Sequence, residues 1–230
     1  MIRIYHLTKT YPSGPLVFQE AYFAAPDSAF VTLCGGNRSG KTTLLKLLCG
    51  EEAPTSGIVQ VEGRRVNEMR AEERRDFLRT VGLVFPDMGL LWEKSIGENL
   101  LLPLHLREEF KAEARKKALS ILERLGLEGV EGKKPADLSF GEQRTVVFAR
   151  ALASRPRLFL ADEPFQGMDG VRVTACMGLL SELNAEGSTI VLGTQDPVPV
   201  ALYEREHPDL RIVWARLSDR VVRPLEAPPC

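Results

Sequence analysis

The sequence predicts an α/β fold in which strands and helices alternate around a mainly parallel sheet. Short apolar runs at residues 30–34, 81–85 and 157–161 are typical of strands that are buried on both faces. A glycine-rich turn follows the first of these runs, and leucines at helical spacing follow the turn. Strand, turn and helix in this order indicate the first unit of a parallel sheet.

The remaining elements follow from local patterns along the chain. Short strands are predicted at residues 2–7, 16–18 and 21–24, so that three strands form an antiparallel sheet beside the parallel core. The helix after the glycine-rich turn ends at Gly50, which fits a C-cap. The later predicted elements are a strand at 58–61, a charged surface helix at 68–80, a long loop at 86–104, helices at 108–125, 139–154, 171–185 and 198–206, and strands at 189–194, 210–215 and 221–223.

These elements predict a single domain over residues 1–225, followed by a short tail at 226–230. The core of this domain would comprise residues 1–85 and 157–225. Two predicted helices with no strand between them indicate an inserted helical subdomain at approximately residues 86–156.

The predicted loop at residues 86–104 is rich in leucine and also carries Met88 and Trp92. These apolar side chains fit a local core. They fit a surface for another protein equally well, because methionine and tryptophan are common in protein interfaces. The residues alone leave both interpretations open.

Charge and composition narrow the possible function classes. The chain has 30 Lys and Arg residues against 31 Asp and Glu residues, and its net charge of -1 argues against a nucleic-acid partner that needs a broad basic surface. No apolar run is long enough for a transmembrane helix and the N-terminus lacks a signal core, so we expect a cytoplasmic protein. The 4 cysteines are scattered, which argues against a disulfide framework or a cysteine metal site.

Residues 35–42 fit the pattern G-x-x-x-x-G-K-[ST] of a phosphate-binding loop. Glycines let successive backbone N–H groups converge on the phosphates, and the following helix adds its positive end. We expect Lys41 to reach the β- and γ-phosphates and the hydroxyl of Thr42 to bind Mg²⁺. Thr43 is included among the candidates, although its position fits a helix-face residue better. The nucleotide-binding candidates in this loop are Gly35, Asn37, Ser39, Gly40, Lys41, Thr42 and Thr43.

Two carboxylates, Asp162 and Glu163, follow the apolar strand at residues 157–161. Ligands bind at the carboxyl ends of parallel strands. Asp162 is therefore expected to hold Mg²⁺, and Glu163 to orient or deprotonate the water that attacks the γ-phosphate. An apolar strand that ends in two acids is common by itself, and it is the phosphate loop upstream that favours this functional interpretation.

Residues 138–143, with the sequence Leu-Ser-Phe-Gly-Glu-Gln, form a second candidate anion site. The hydroxyl of Ser139, the amide of Gly141 and a helix N-terminus would supply the donors. Two phosphate sites far apart in sequence are explained if two copies of the chain face each other and each presents this segment to the nucleotide of the other. The simpler alternative is a capped helix start, because Ser139 and Glu142 are in capping-box register.

Together these three motifs resemble those of the nucleotide-binding subunit of ATP-binding-cassette (ABC) transporters, and the resemblance extends in order over residues 2–223. Residues 138–143 are similar to the LSGGQ signature, with Phe140 at the third position. The resemblance implies a P-loop NTPase core, ATP and Mg²⁺ as cofactors, and a head-to-tail dimer that closes around two nucleotides and reopens after hydrolysis. It also implies that the partner's nucleotide is contacted by Ser139, Gly141 and Glu142.

Further roles rest on the resemblance. From its turn position, Tyr11 fits either an adenine-stacking residue or a partly buried tyrosine, and the resemblance implies the first. It makes Asp169 the aspartate of the D-loop, the segment that follows the two carboxylates. It also implies that residues 86–104 dock a transmembrane permease subunit, which would hold the protein peripherally on the inner face of the cell membrane.

Two positions depart from the family pattern. Pro86 stands where a glutamine usually touches Mg²⁺ and the attacking water, and the adjacent Asp87 is a candidate for a partial replacement. Gln195 stands where a histidine usually contacts the γ-phosphate; glutamine donates a hydrogen bond but cannot carry a proton. We count Gln195 with Glu163 as a catalytic candidate. Nucleotide binding and dimer closure are expected, whereas fast hydrolysis is not.

The leading hypothesis is an ATPase subunit that drives a membrane partner, similar to the lipoprotein-release, cell-division (FtsE-type) and phospholipid-transport (Mla-type) subgroups. Its role would lie in lipid or lipoprotein transport or in remodelling of the cell envelope. A second hypothesis is an ATP-gated binding module that scarcely hydrolyses ATP. A soluble ABC protein of translation or DNA repair would need a second cassette or a coiled coil, and a small-molecule kinase would leave residues 138–143 unexplained.

Overall fold

The computed structural model describes residues 2–87, 89–106 and 112–229, and within these ranges the chain forms a four-stranded and a six-stranded sheet. The strands are β1 (Ile2–Thr10), β2 (Leu16–Ala25), β3 (Phe30–Cys34), β4 (Ser56–Val61), β5 (Arg64–Arg65), β6 (Val81–Val84), β7 (Leu158–Asp162), β8 (Thr189–Thr194), β9 (Ile212–Ser218) and β10 (Val221–Leu225). The helices are α1 (Lys41–Leu48), α2 (Ala71–Arg79), α3 (Ile96–Leu106), α4 (Ala112–Arg124), α5 (Phe140–Ala153), α6 (Gly170–Ala185) and α7 (Val198–Glu206).

The six-stranded sheet has the strand order β10-β9-β3-β8-β7-β6. Strand β3 pairs in parallel with β8 and β9, and β7 pairs in parallel with β6 and β8, whereas β10 joins the edge in antiparallel orientation. In this register Cys34 lies opposite Thr194, and Asp162 lies opposite Gly193. The carboxyl ends of β3, β7 and β8 therefore meet at one edge, and the predicted mainly parallel sheet is confirmed.

The four-stranded sheet, in the order β2-β1-β4-β5, is the predicted antiparallel sheet. The prediction of three short strands before the glycine-rich turn is wrong, because residues 16–18 and 21–24 belong to the single strand β2. The pairing of β1 with β2 contains register shifts, and His6 and Glu20 have positive φ angles of 48° and 49°. Such bulges interrupt the alternation of apolar residues, so one bent strand has the sequence pattern of two.

The segment at residues 86–104 is not one long loop, because α3 begins within it. A capping box starts this helix: the Ser95 N–H donates to Glu98 Oε2 at 2.8 Å, and the Glu98 N–H donates to Ser95 Oγ at 3.2 Å. The helix continues through Pro103, although proline usually breaks a helix. In the described part of the chain between β6 and β7, three helices rather than two are therefore present.

Most apolar side chains of this segment belong to the core. The buried ones are Leu90, Ile96, Leu100, Leu101 and Leu104. Leu91 and Trp92, in contrast, are 42% and 55% exposed. The buried side chain of Asn99 fixes the loop that carries this pair, since it accepts from the Leu91 N–H at 2.7 Å and donates to the Leu91 carbonyl at 2.9 Å. The predicted docking surface is thus reduced to Leu91 and Trp92, while Met88 lies outside the described residues.

The other helices lie close to their predicted positions. The helix predicted at residues 108–125 corresponds to α4, and the beginning of that range falls among residues 107–111, outside the described part of the chain. Glu113 and Lys117 form the predicted i,i+4 ion pair, with 3.0 Å between the carboxylate and the ammonium. The charged helix predicted at residues 68–80 is shorter, because a 3-10 turn precedes α2. No helix in the described ranges is long and apolar enough to cross a bilayer.

Two apolar clusters lie on opposite faces of the six-stranded sheet. Phe30 and Phe159 face the cluster that contains α3 to α6, while Val31 and Leu158 face α1 and the antiparallel sheet. Both faces of β3 and β7 are buried, which is why these strands read as continuous apolar runs. Because α3 to α5 share one cluster with α6 and the sheet, the boundaries of the domain and of a helical subdomain stay predictions. Residues 226–229 follow β10 without forming a helix or strand.

Gly82 in β6 provides a test of this packing. A Cβ at this position would lie 2.7 Å from the carbonyl oxygen of Ala151 and 2.8 Å from Cγ of Pro156. We expect Gly82→Ala to lower the free energy of unfolding by about 1–3 kcal/mol, because the neighbouring backbone must shift. The control Gly132→Ala adds a methyl group with nothing within 4 Å and should change stability by less than about 0.5 kcal/mol. Urea unfolding followed by circular dichroism measures both, and equal stabilities would contradict the packing.

Candidate nucleotide-binding site

The first part of the site is the loop between β3 and α1. Gly40, with a φ of 102°, is the N-cap of α1 and supplies no side-chain cap, so the first N–H groups of the helix are left to a ligand. A Cβ on Gly40 would lie 2.8 Å from Cζ of Phe18, and one on Gly35 would collide with the side chain of Ser39. Both glycines are therefore required, and the predicted order of strand, glycine loop and helix is confirmed.

The ammonium group of Lys41 lies across this loop. Its Nζ donates to the carbonyl oxygens of Gly35 at 2.7 Å and Gly36 at 3.1 Å, and it lies 3.4 Å from Glu163 Oε1. Only 6% of Lys41 is exposed. A buried ammonium needs such partners, because removing it from water is costly. Lys41 thus connects the loop to the carboxylate at the end of β7.

Thr42 and Asp162 meet beside this ammonium. The Thr42 hydroxyl donates to Asp162 Oδ2 at 2.5 Å, whereas Asp162 Oδ1 is buried without a hydrogen-bond partner. Burial raises the pKa of Asp162, and the hydrogen bond from Thr42 opposes that rise. A hydroxyl and a carboxylate with an unused oxygen are ligands of the type that Mg²⁺ prefers, so these residues fit the predicted ion.

Glu163 adopts a left-handed backbone conformation, with a φ of 47°. Its N–H donates to the Gly193 carbonyl at 2.8 Å. Its Oε2 accepts from the Gln195 N–H at 3.1 Å and from the Thr194 hydroxyl at 3.3 Å. The carboxylate is thereby fixed at the end of β8, with Oε1 directed at Lys41. A cleft of about 710 Å³ borders Glu163 and Gln195.

The candidates of residues 138–143 lie at the start of α5. Ser139 is the N-cap, and the predicted capping box is present: Glu142 Oε2 accepts from the Ser139 N–H at 2.8 Å and from its hydroxyl at 2.6 Å. A Cβ on Gly141 would collide with the carbonyl oxygen of Gly167 in the D-loop, so the helix start packs directly on that segment. Asp169, also a candidate, is the N-cap of α6 and accepts from the Arg172 N–H at 2.8 Å.

Tyr11 lies beside α1, as an adenine-stacking residue would require. Its hydroxyl is 3.4 Å from Thr43 Oγ1, which brings these two candidates together. The ammonium of Lys9 lies 4.7 Å from the centre of the Tyr11 ring and is also hydrogen-bonded to Glu52 at 2.8 Å. Sequence reasoning missed Lys9, since nothing local distinguishes it from a strand-surface lysine.

The remaining candidate residues make fewer side-chain contacts in the site. Asn37 and Gln195 are exposed, and Gln195 contributes its backbone N–H to the Glu163 carboxylate. Ser39 Oγ is buried inside the loop without a hydrogen-bond partner. Pro86 and Asp87 form an exposed turn after β6.

Sequence reasoning also missed Arg144 and Thr194. Arg144, in the first turns of α5, donates through Nη2 to the Glu163 carbonyl at 2.8 Å. Thr194 donates to the Glu163 carboxylate. An arginine just after the LSGGQ-like segment was the one available signal for Arg144. The hydrogen bond between Arg144 and the Glu163 carbonyl joins two positions that are far apart in the sequence, so local patterns do not predict it.

Comparison with known proteins identifies the family of this chain. Residues 18–166 match the family described as ABC transporter. The cell division ATP-binding protein FtsE of Escherichia coli (strain K12) is 32% identical over 196 residues, which cover 85% of this chain and 88% of that protein. The methionine import ATP-binding protein MetN 2 of Bacillus licheniformis is 32% identical over 200 residues, but the chain spans only 59% of its length.

Among solved structures, the ATP-binding cassette MJ0796 in a dimeric post-hydrolysis state bound to ADP and Pi superposes with a TM-score of 0.86. It is 31% identical, and the match covers 98% of each chain. The fold and the phosphate loop thus define an ATP-binding cassette. The chain belongs to the ABC transporter family, and within it to the ATP-binding subunits, which are ATPases.

The capping box at Ser139 predicts a pH-dependent stability. The hydrogen bonds from Ser139 hold the pKa of the Glu142 carboxyl below its ordinary value of 4.5. A lowered pKa contributes stability that is present above the ordinary value and lost as the pH falls through the lowered one. Glu142→Ala should therefore cost about 1 kcal/mol near neutral pH, and the difference from the natural protein should shrink in acid.

Urea unfolding over a range of pH measures this difference, with Glu128→Ala, an exposed glutamate away from helix starts, as the control. A cost that stays constant from neutral to acid pH would show that the charge on Glu142 does not contribute.

Proposed function

We propose that two copies of this chain bind ATP and Mg²⁺ head to tail, hydrolyse the ATP and drive a membrane-embedded partner. The observation that carries the proposal is the convergence of Lys41, Thr42, Asp162 and Glu163 at the carboxyl ends of β3, β7 and β8. Parallel sheets bind ligands at this edge. The other candidates named from the sequence surround this centre or complete it from a second copy.

The phosphates of ATP would be bound by the loop before α1. Lys41 exchanges the carbonyl oxygens of Gly35 and Gly36 for the β- and γ-phosphate oxygens, while the uncapped start of α1 directs its N–H groups at the same phosphates. Thr42 and the unused oxygen of Asp162 hold Mg²⁺, which when bound draws charge from the phosphates. Tyr11 stacks on the adenine next to Thr43.

Glu163 is the base in this proposal. Once Lys41 turns to the phosphates, Glu163 Oε1 is free to accept a proton from the attacking water, while Oε2 stays anchored by Thr194 and Gln195. The exposed amide of Gln195 donates a hydrogen bond toward the γ-phosphate but takes no proton. The side chain of Pro86 can neither donate a hydrogen bond nor accept a proton, so hydrolysis by this chain is slow.

The second copy would supply the start of α5. Its Ser139 hydroxyl and the amide of Gly141 complete the phosphate contacts, with Glu142 beside them. Exposure of Ser139 at the start of an intact helix supports this role, and so does the dimeric cassette to which the chain is similar.

The membrane partner would contact the exposed pair Leu91 and Trp92, which lies on the loop fixed by Asn99. Docking there would hold the protein on the cytoplasmic face of the membrane, with no nucleic acid involved. The similarity to FtsE supports a role at the cell envelope, in remodelling or in lipid or lipoprotein transport. The sequence identity to MetN equals the identity to FtsE, so the comparisons do not select one class of cargo.

Replacement of the base tests the enzyme directly. Glu163→Gln should lower steady-state ATP turnover by about 100-fold or more, because the amide cannot accept the proton, while ATP binding persists. Glu123→Gln, at an exposed position of α4, is the control and should leave turnover unchanged. If neither the natural protein nor Glu163→Gln turns over ATP, the ATP-gated binding module is favoured. If both proteins turn over ATP at the same measurable rate, Glu163 is not the base.

Dimer formation has its own test. Ser139→Arg should abolish the ATP-dependent dimer of the Glu163→Gln protein, measured by light scattering, because the large side chain fills the contact with the partner's phosphates. The control Ser120→Arg places the same side chain on the exposed surface of α4 and should leave the dimer intact. An unchanged dimer in Ser139→Arg would refute the head-to-tail arrangement.

A further inference from the structure

Arg144 is a buried cation without a carboxylate partner. Only 2% of the residue is exposed, and in the described part of the chain it forms no ion pair with a carboxylate. Its Nη2 donates to the Glu163 carbonyl oxygen at 2.8 Å, and its Nε is buried without a hydrogen-bond partner. Burial lowers the pKa of this guanidinium, and the charges of Asp162 and Glu163 oppose that effect, so Arg144 interacts electrostatically with the carboxylates of the site.

The backbone of Glu163, which Arg144 contacts, is hydrogen-bonded through both its N–H and its carbonyl group. The N–H of Glu163 donates to Gly193 in β8, and its carbonyl accepts from Arg144 in α5. Between these two bonds the residue has its left-handed φ of 47°, which is unfavourable for a glutamate unless its surroundings impose it. The direction of the Glu163 side chain therefore depends on both contacts.

Arg144 also contacts the helix start that would face the partner's nucleotide. Its guanidinium lies 5.8 Å from the centre of the Phe140 ring, one turn earlier on α5. The Phe140 ring is 54% exposed next to Ser139. The same turn packs on the D-loop through Gly141 and Gly167. A continuous chain of contacts therefore runs from the exposed start of α5 to the backbone of Glu163.

We propose that Arg144 is a positioning residue, which orients the Glu163 carboxylate and links it to the start of α5 in the same chain. The inference rests on the proposed function, in which Glu163 is the base and the start of α5 contacts the partner's nucleotide. A nucleotide bound between two copies would then affect two bases at once: the base beside its phosphates, and through Phe140 and Arg144 the base of the copy that contacts it.

The test compares Arg144→Met with Arg144→Lys. Methionine has a similar length but no donor, so kcat for ATP should fall by about tenfold or more, because the carboxylate is misplaced by a fraction of an ångström to an ångström. KM for ATP should stay within about threefold, since the phosphate loop is untouched. Lysine restores a donor and a charge and should recover most of kcat. If Arg144 has a purely structural role, Arg144→Met should lower the melting temperature but should not lower kcat selectively while KM stays constant.

The matched control is Arg124→Met on α4, which removes hydrogen bonds at 2.7 Å and 2.5 Å to Glu182, a residue outside the candidate site. It should leave kcat and KM unchanged. An Arg144→Met protein that folds, binds ATP and keeps kcat within about twofold would overturn the inference. If methionine prevents folding, Arg144→Gln takes its place, and if that variant also fails to fold, Arg144 is a folding residue and the inference is wrong.

The Glu163→Gln background separates failure of this inference from failure of the proposed function. In that background Arg144→Met should lower the residual turnover no further, because the residue acts through Glu163. Full turnover in Glu163→Gln alone would refute the base and with it the proposed function. Loss of turnover in Glu163→Gln combined with a normal kcat in Arg144→Met would refute only the role of Arg144.

Discussion

The site depends on the contacts that three charged side chains, two of them buried, make around one ammonium group. Asp162 ends β7 and Glu163 follows it, while Lys41 begins α1 after the loop that leaves β3, and β8 lies between these two strands. Each charge alone would be too costly to bury, and together they leave the ammonium shared between the phosphate loop and a carboxylate. Phosphates would offer Lys41 stronger acceptors than the backbone carbonyls of Gly35 and Gly36, to which it donates here.

The order of the strands is what brings these charges together. Because β3, β8 and β7 are neighbours in the sheet, the turns that follow them share one edge, although they come from distant parts of the sequence. The start of α5 is added to this edge by packing on the D-loop. Gly141 there accepts no Cβ, whereas the Phe140 residue is 54% exposed. This difference explains why the third position of the LSGGQ-like segment tolerates a large side chain and the fourth does not.

The parts that the sequence predicted well are local. The phosphate loop, the capping box at Ser139 and the limits of β8 and α7 each follow from residues within one or two turns of chain. The errors come from features that local patterns hide: the bulges of β2 and a helix that continues through Pro103. A capping box at Ser95 was a readable signal for that helix. Local sequence patterns could not predict the contact of Arg144, because it is made with a carbonyl oxygen in another segment of the chain.

The departure at Gln195 is less severe than the sequence implies. The structure uses the backbone N–H of this residue to hold the Glu163 carboxylate, and any residue except proline can supply that donor. Glutamine in place of histidine therefore keeps the backbone hydrogen bond that holds the Glu163 carboxylate. Pro86 differs in kind, because its position has lost a side-chain donor that no described contact replaces. The two departures are therefore unequal: the position of Gln195 keeps the backbone contact to Glu163, whereas the position of Pro86 keeps no comparable contact among the described residues.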